Sequence, residues 1–280
     1  MSDYRHIDVR PIAGAIGAEG RGVNLKSVET AAWDEIRAAF HDRLVLFFPG
    51  QDLSAPEMAA AGAHFGELAY YPFIEGLKEE PYVIPLIKEA SERKNFGEGW
   101  HSDATYTERP PMATGLYSIE VPEVGGDTMF ANMYLAYETL SDGMKEMLAP
   151  LRAVNSSAAR KDGGRASGNS YQSVKLIKHD ADLEGIHPVV RTHPETGRKA
   201  LYVNALHTTH FVSWTRKESK PVLEYLSRHK SRPEFTCRYS WAPNTFAIWD
   251  NRAAQHFALN DYHGQRREMR RLSIAGEVPS

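Results

Sequence analysis

Residues 235–275 read FTCRYSWAPNTFAIWDNRAAQHFALNDYHGQRREMRRLSIA, and this stretch decides the fold class. It contains three short apolar runs, at Phe235–Tyr239, Thr245–Trp249 and Arg270–Ala275, separated by segments with Pro, Asn and Gly. Short runs rich in aromatic and β-branched residues between such turn-forming residues are typical of strands. The sequence therefore predicts three strands at this end of the chain.

The same pattern extends toward the N-terminus. Four more runs of strand-like length and composition occur upstream, at Tyr82–Ile87, Thr114–Ile119, Val189–Thr192 and Ala200–Val203. Another short apolar run, 44–48, is closed by Pro49-Gly50 and predicts a buried strand followed by a turn.

Helical periodicity interrupts the strands at 29–43, 134–147 and 215–229. Ser54, with Glu57 three residues later, predicts the capped start of another helix. Many short strands with inserted helices favour a mainly β sandwich or barrel with α decoration. Because no segment has the composition of a linker, we predict that residues 1–280 form one domain. Residues 153–173 form the most loop-like stretch of the chain, and loops of that length are typical of lids.

Composition narrows the class of protein. The chain has 280 residues with 33 Lys and Arg against 36 Asp and Glu, a balance that predicts neither a nucleic-acid partner nor a membrane partner. Its single cysteine excludes an intrachain disulfide and a zinc site built from clustered thiolates. We expect a cytoplasmic protein, since neither a signal peptide nor a membrane span is evident.

Two distant segments carry candidate metal ligands. His101 and Asp103 are two residues apart, so in an extended segment their side chains point to the same side. His256 lies just beyond an apolar strand and a polar turn. Two imidazoles and one carboxylate would form a facial triad, which favours a non-haem Fe(II) oxygenase, although zinc or manganese accepts similar ligands.

Two arginines near the C-terminus form a third signal. Arg267 and Arg271 are four residues apart, so in a strand both face the same side. Guanidinium groups directed toward a metal site would bind carboxylates with two hydrogen bonds each. The alternative is a solvated basic segment, because runs of charge usually face water.

These segments resemble the TauD/TfdA family of Fe(II)- and 2-oxoglutarate-dependent dioxygenases over nearly the whole chain. The matching blocks occur in the family's order and are VLFFPGQ (45–51), FGEL (65–68), WHSDATYTERPP (100–111), GGDT (125–128), HPVVRTHPETGRKALYVN (187–204) and WDNRAAQHFALNDYHGQRREMRRLSI (249–274). The resemblance implies a distorted double-stranded β-helix, the jelly-roll of the clavaminate synthase-like proteins. It also suggests a homo-oligomer, a dimer or tetramer.

The resemblance assigns roles to particular positions. It implies that His101, Asp103 and His256 hold iron, and that Arg267 with Thr128 grips the distal carboxylate of 2-oxoglutarate. Arg271 matches an arginine that pairs with the anionic group of the substrate in several members. The implied reaction consumes O2 and 2-oxoglutarate, hydroxylates a C–H bond, and releases succinate and CO2. We expect the segment Tyr70–Leu77 and the 153–173 loop to act as lids over this site.

The substrate is predicted less sharply. Where taurine dioxygenases have a histidine and a tyrosine after the FGEL block, this chain has Tyr71 and Ile74, and Gly97 replaces an asparagine. Tyr71 and Tyr106 predict either ordinary core packing or an aromatic pocket. Such a pocket would suit a small organic anion other than taurine: a sulfonate, a sulfate ester, or an aryloxy or alkyl carboxylate. The alternatives are a jelly-roll metal-binding protein without oxygenase activity and a zinc hydrolase that uses the same ligands.

Overall fold

The computed structural model describes residues 4–158, 175, 177 and 182–280. Within them the chain forms five α-helices: α1 (Thr30–Arg43), α2 (Ala55–Ala63), α3 (Met133–Glu138), α4 (Asp142–Leu148) and α5 (Arg216–Lys230). The strands are β1 (Asp8–Pro11), β2 (Ala18–Arg21), β3 (Val45–Phe48), β4 (Leu68–Ala69), β5 (Ile84–Lys88), β6 (Ala113–Glu120), β7 (Thr128–Asn132), β8 (Arg152–Ser156), β9 (Glu184–Pro188), β10 (Val190–Thr192), β11 (Lys199–Leu201), β12 (Thr208–Phe211), β13 (Thr236–Tyr239), β14 (Phe246–Asp250), β15 (Ala254–Ala258) and β16 (Arg267–Ile274).

Eight of these strands form the largest sheet. Its order is β1-β2-β3-β14-β6-β16-β4, and β5 pairs with β16 on the same edge as β4. Two three-stranded sheets, β13-β7-β15 and β12-β8-β9, and the ribbon β10-β11 complete the strands. One apolar core contains side chains from β3, β14 and β16 together with side chains from β7, β8 and β13. The large sheet therefore packs on the smaller ones, as in the predicted jelly-roll, and the mainly β fold class is confirmed.

The two faces of the large sheet meet different neighbours. On β3, Val45 and Phe47 belong to the core between the sheets, whereas Leu46 and Phe48 belong to a second core with α1 and α2. All four side chains are fully buried, which explains why the run has no polar alternation. Since side chains alternate along a strand, the same rule directs Arg267, Met269 and Arg271 of β16 toward the inner side.

Most predicted elements are confirmed, with two corrections. The helix expected at 134–147 is two helices, because Ser141 caps α4 by accepting a hydrogen bond from the Met144 N–H. Residues 152–156 form a strand, so the predicted 153–173 loop is wrong at its start, and 159–173 lie outside the described residues. The sequence analysis also missed several strands with polar or mixed composition, among them β1, β7, β9, β12 and β15.

The predicted start of α2 is confirmed in detail. Ser54 Oγ accepts a hydrogen bond from the Glu57 N–H, and the Glu57 carboxylate accepts one from the Ser54 N–H at 2.8 Å. Such a capping box satisfies two backbone donors that would otherwise lack partners at a helix start. The capping box thus holds the N-terminus of α2, whose buried face packs on the large sheet.

We predict that Ser54→Ala lowers the free energy of unfolding by about 1 kcal/mol, since the helix loses its side-chain cap. Urea unfolding followed by circular dichroism measures the change. Ser27→Ala is the matched control, because Ser27 is exposed and its hydroxyl bonds to no described residue. Equal stabilities of the two variants would show that the cap contributes nothing.

Candidate active site

The backbone joins the two candidate imidazole ligands directly. The His101 N–H donates to the His256 carbonyl oxygen at 3.0 Å, and the His256 N–H donates to the His101 oxygen at 2.9 Å. This antiparallel bridge joins His101, which lies outside the named strands, to His256 of β15 and places the two rings side by side, with centroids 4.2 Å apart. Residues that exchange two backbone hydrogen bonds project their side chains on the same side of the pair.

Asp103 completes a three-ligand cluster. Its Oδ1 lies 3.7 Å from His101 Nε2 and 3.9 Å from His256 Nε2, and one donor atom from each residue lies within 4.8 Å of the others. His101 Nδ1 is 2.8 Å from the Gly99 oxygen. Because a carbonyl only accepts, Nδ1 carries the proton there and Nε2 keeps its lone pair for a metal. The structure thus brings together the three ligands that the sequence predicted.

A hydrogen-bond chain orients the Asp103 carboxylate. Thr114 Oγ1 donates to Asp103 Oδ2 at 2.7 Å, and Asn251 Nδ2 donates to Thr114 Oγ1 at 2.9 Å. Asn251 Oδ1 in turn accepts from Trp249 Nε1 at 3.0 Å and from the Asp103 N–H at 3.3 Å. These groups hold one oxygen of Asp103 and leave the other directed toward the histidines. Thr114 was missed from sequence, since only its place on the inner side of β6 reveals its role.

Burial and charge set the protonation states of the cluster. Burial lowers the pKa of His101 well below its usual value and lowers the pKa of His256 to about 4. Burial by itself would raise the pKa of Asp103, but the charge of Arg271, the two histidines and the Thr114 hydrogen bond lower it overall. Neutral imidazoles and an ionised carboxylate are the forms that bind a metal ion.

Gly97 allows the backbone to approach His101. Its φ is +86°, and a Cβ atom there would lie 3.2 Å from Cε1 of the His101 ring. A side chain at this position would strain the backbone and press on the ligand. The sequence difference at Gly97 therefore has a steric consequence at the metal-ligand cluster.

Arg267 and Thr128 line the same pocket as the three ligands. Arg267 is 7% exposed, and its Nε and Nη2 atoms have no hydrogen-bond partner among the described residues. Burial lowers the pKa of its guanidinium, although an arginine remains protonated at neutral pH. Thr128 Oγ1 accepts a hydrogen bond from Trp241 Nε1 at 3.0 Å, so the hydroxyl proton remains free to be donated.

These features fit the groups that the sequence implied. Two imidazole nitrogens and a carboxylate oxygen are a donor set for iron, with further coordination positions left for other ligands. A buried guanidinium with unpaired N–H groups is the expected partner of a carboxylate, such as the distal group of 2-oxoglutarate. A buried cation left unpaired is costly, so this pocket is built to receive an anion.

Arg271 lies beside the metal-ligand cluster. Its Nη2 is 3.0 Å from Asp103 Oδ1, and its guanidinium carbon is 4.6 Å from the centre of the Tyr71 ring. Tyr71 is buried and packs with Ile74 and Ile84. Tyr71 therefore contacts the predicted substrate arginine by a cation–π interaction.

Tyr106 packs against other aromatic rings. The side chain is fully buried, with edge contacts to Phe73 and to His207 at centroid distances of 5.5 and 4.9 Å. The His207 ring in turn lies 5.9 Å from the His101 ring. His207, which the sequence analysis did not single out, thus packs near both Tyr106 and the candidate ligand His101.

A second group of potential ligands has a structural explanation. His41, His193 and Asp250 also bring donor atoms within 4.8 Å of one another. Arg252, however, donates to both oxygens of Asp250, at 2.8 and 2.7 Å, and His193 Nε2 lies 3.0 Å from Oδ2. The Asp250 carboxylate is therefore already paired, and the nearby guanidinium disfavours a cation there.

A jelly-roll that holds two imidazoles and a carboxylate beside a buried unpaired arginine defines a 2-oxoglutarate-dependent dioxygenase, an oxidoreductase. The chain belongs to the taurine catabolism dioxygenase TauD, TfdA family, whose model matches residues 8–273.

Three similar proteins place the chain within that family. It is 35% identical to an alpha-ketoglutarate-dependent sulfate ester dioxygenase of Pseudomonas putida, over 98% of this chain and 91% of the relative. It is 33% identical to an alkylsulfatase of Acinetobacter baylyi, over 98% and 86%. A solved structure of a putative alpha-ketoglutarate-dependent taurine dioxygenase from Burkholderia xenovorans has a TM-score of 0.84 and 34% identity, covering 98% of this chain and 94% of that one.

We predict that Thr114→Val weakens metal binding by about tenfold to a hundredfold, because the Asp103 carboxylate loses the hydrogen bond that orients it. Competition of Mn(II) with a fluorescent chelator measures the affinity. Ser118→Ala is the matched control, since Ser118 lies on the same face of β6 and loses a buried hydrogen bond to the Ala242 oxygen. A similar loss of affinity in both variants would mean that general destabilisation, not ligand orientation, is the cause.

Proposed function

We propose that residues 1–280 form one Fe(II)- and 2-oxoglutarate-dependent dioxygenase domain that hydroxylates a C–H bond of a small organic anion. The observation that carries this proposal is the buried triad of His101, Asp103 and His256 in one pocket with Arg267, whose donors have no described partner. The family match supports an oxygenase rather than a non-catalytic binding protein or a zinc hydrolase.

In this proposal each residue has a distinct task. Nε2 of His101, Oδ1 of Asp103 and Nε2 of His256 hold iron. Arg267 binds the distal carboxylate of 2-oxoglutarate through its unpaired N–H groups, and the Thr128 hydroxyl donates to the same carboxylate.

Iron and 2-oxoglutarate, when bound, supply the oxidation by O2 that turns a C–H bond into C–OH and releases succinate and CO2. The chain's own contribution is to fix the ligands, to orient the target carbon and to keep water away. The ligand side chains are at most a tenth exposed, which supports a water-poor site.

Sulfate esters are the substrate class that we favour. Arg271 places a buried guanidinium beside the cluster, suited to an anionic oxygen group, and the Pseudomonas and Acinetobacter relatives bear names that refer to sulfate esters. Hydroxylation of the carbon that bears the ester oxygen gives a carbon with both OH and sulfate. This hydroxylated ester decomposes to an aldehyde when its C–O bond to sulfate breaks. Free sulfate is therefore expected together with the aldehyde.

An aryloxyalkanoate is the second candidate. A series of aromatic side chains begins at Arg271: Tyr71 contacts the guanidinium, and Phe73 contacts both Tyr71 and Tyr106. Aromatic rings favour offset or edge contacts with an aryl group, and a carboxylate pairs with arginine as well as a sulfate does. Taurine fits this pocket poorly, since Tyr71 and Ile74 replace the polar residues of taurine dioxygenases.

We predict succinate release from Fe(II), 2-oxoglutarate and O2 with one anion class in a panel of alkyl sulfates, alkylsulfonates, taurine and aryloxyalkanoates. With an alkyl sulfate, free sulfate should appear in a one-to-one ratio with succinate. His101→Ala is the control for oxidation by free iron. If folded, iron-loaded protein released no succinate with any member of the panel or without substrate, the dioxygenase proposal would be refuted.

Arg271→Met should weaken binding of the anionic substrate by about 1.5–3 kcal/mol, the usual contribution of a hydrogen bond to a charged group. The measurement is substrate affinity at saturating 2-oxoglutarate. Because Arg271 also contacts Asp103, Mn(II) affinity is measured in the same variant to separate the two effects. Unchanged substrate affinity with intact metal binding would remove the proposed role.

The partner, the assembly and the location of the protein are predictions from the sequence. We propose a small-molecule anion as the partner, and a homo-oligomer, dimer or tetramer, as the assembly. Cytoplasmic location and the absence of a nucleic-acid partner stay predictions from sequence. Among the described residues, no helix has the length and apolar character to cross a membrane.

A further inference from the structure

Lys88 is a second buried cation at the end of the pocket that holds Arg267. The side chain belongs to the last residue of β5, and its Cα pairs directly with that of Arg267 on β16. Lys88 is 5% exposed and lines the same pocket as the metal-ligand cluster. Its Nζ has no hydrogen-bond partner among the described residues and lies 4.3 Å from the centre of the Tyr262 ring.

The nearby carboxylates do not pair with this ammonium group. Glu92 and Glu98 act on Lys88 through space, but burial still lowers the Lys88 pKa overall. Glu92 Oε2 accepts from the Glu89 N–H at 2.7 Å, and Glu98 Oε1 accepts from the Asn95 N–H at 2.9 Å. Among the described residues, no carboxylate oxygen lies within hydrogen-bond distance of Lys88 Nζ.

Two like charges directly opposite each other on paired strands destabilise a sheet. Lys88 and Arg267 occupy such a pair, and both are buried with donors that lack a hydrogen-bond partner in the described part of the chain. A buried charge is tolerated when an opposite charge and hydrogen bonds compensate it. The arrangement therefore favours an anion that touches both side chains.

The position of Lys88 identifies which anion this is. Arg271, the arginine beside Asp103, pairs with Ile84 of β5, whereas Arg267 pairs with Lys88 four residues along the strand. At about 3.3 Å per residue the two pairs are about 13 Å apart. Lys88 thus lies at the end of the pocket away from Arg271, where the distal carboxylate of the cosubstrate is proposed to bind.

We propose that Lys88 is a second cationic contact for the distal carboxylate of 2-oxoglutarate, opposite Arg267. This inference rests on the proposed function. It assigns to Lys88 the selection of 2-oxo diacids over 2-oxo monoacids, because only a diacid offers a carboxylate at this end of the pocket.

The test compares Lys88→Met with Lys199→Met in Mn(II)-loaded protein. Lys199 lies on β11, is exposed and does not line this pocket, so its loss should change nothing. Calorimetry measures binding of N-oxalylglycine, which resembles 2-oxoglutarate, and of 2-oxovalerate, which lacks the distal carboxylate. Lys88→Met should weaken N-oxalylglycine by about tenfold to a hundredfold, as expected for a lost charged hydrogen bond, and change 2-oxovalerate less than about twofold.

The outcomes separate this inference from the proposed function. Wild-type protein that binds no N-oxalylglycine would refute the proposed function itself. Wild-type binding that depends on Arg267 but not on Lys88 would overturn the role of Lys88 alone. Equal weakening of both ligands in Lys88→Met would assign Lys88 a structural role and also overturn the inference.

Two further variants keep the test decisive. Lys88→Arg retains the positive charge and should recover most of the N-oxalylglycine affinity. Should Lys88→Met fail to fold, Lys88→Gln repeats the comparison with a polar side chain that carries no charge.

Discussion

Two backbone hydrogen bonds between His101 and His256 are the constraint on which the site depends. They join a segment that precedes β6 to the strand β15, and so place two imidazoles on the same side of one short ladder. Asp103 reaches the same point two residues later, and Thr114 of the adjoining strand holds its second oxygen. Strand-like pairing therefore positions the two histidines, whereas Asp103 lies in a turn and is oriented by its hydrogen bond to Thr114 of β6.

Burial of charge is the second constraint. Around the cluster, Arg271 faces Asp103, while Arg267 and Lys88 face a pocket without a described acidic partner. An unpaired buried cation destabilises the folded protein until an anion binds. In the proposed function the same side chains provide affinity for the cosubstrate, so that its binding would also stabilise the fold.

Sequence patterns predicted the structure correctly where the signal lay within a few neighbouring residues. The buried strand β3, the α2 capping box and the shared face of Arg267 and Arg271 follow from apolar runs, cap residues and the two-residue period of strands. The strands that were missed, such as β7 with TMFAN and β15 with AQHFA, carry mixed residues whose partners are distant in sequence. Their conformation comes from pairing with each other, which no local window contains.

The sequence by itself determined the family, the fold class and the identity of the metal-ligand candidates. Motifs and strand alternation depend on the types and spacing of residues along the chain, so they can be read without the tertiary structure. Only the tertiary structure decided which partners those side chains meet. It placed Tyr71 on Arg271 and Tyr106 against His207, paired Asp250 with Arg252, and set Lys88 opposite Arg267. These contacts join residues far apart in the chain, and they arise from strand pairing and from the need to compensate buried charge.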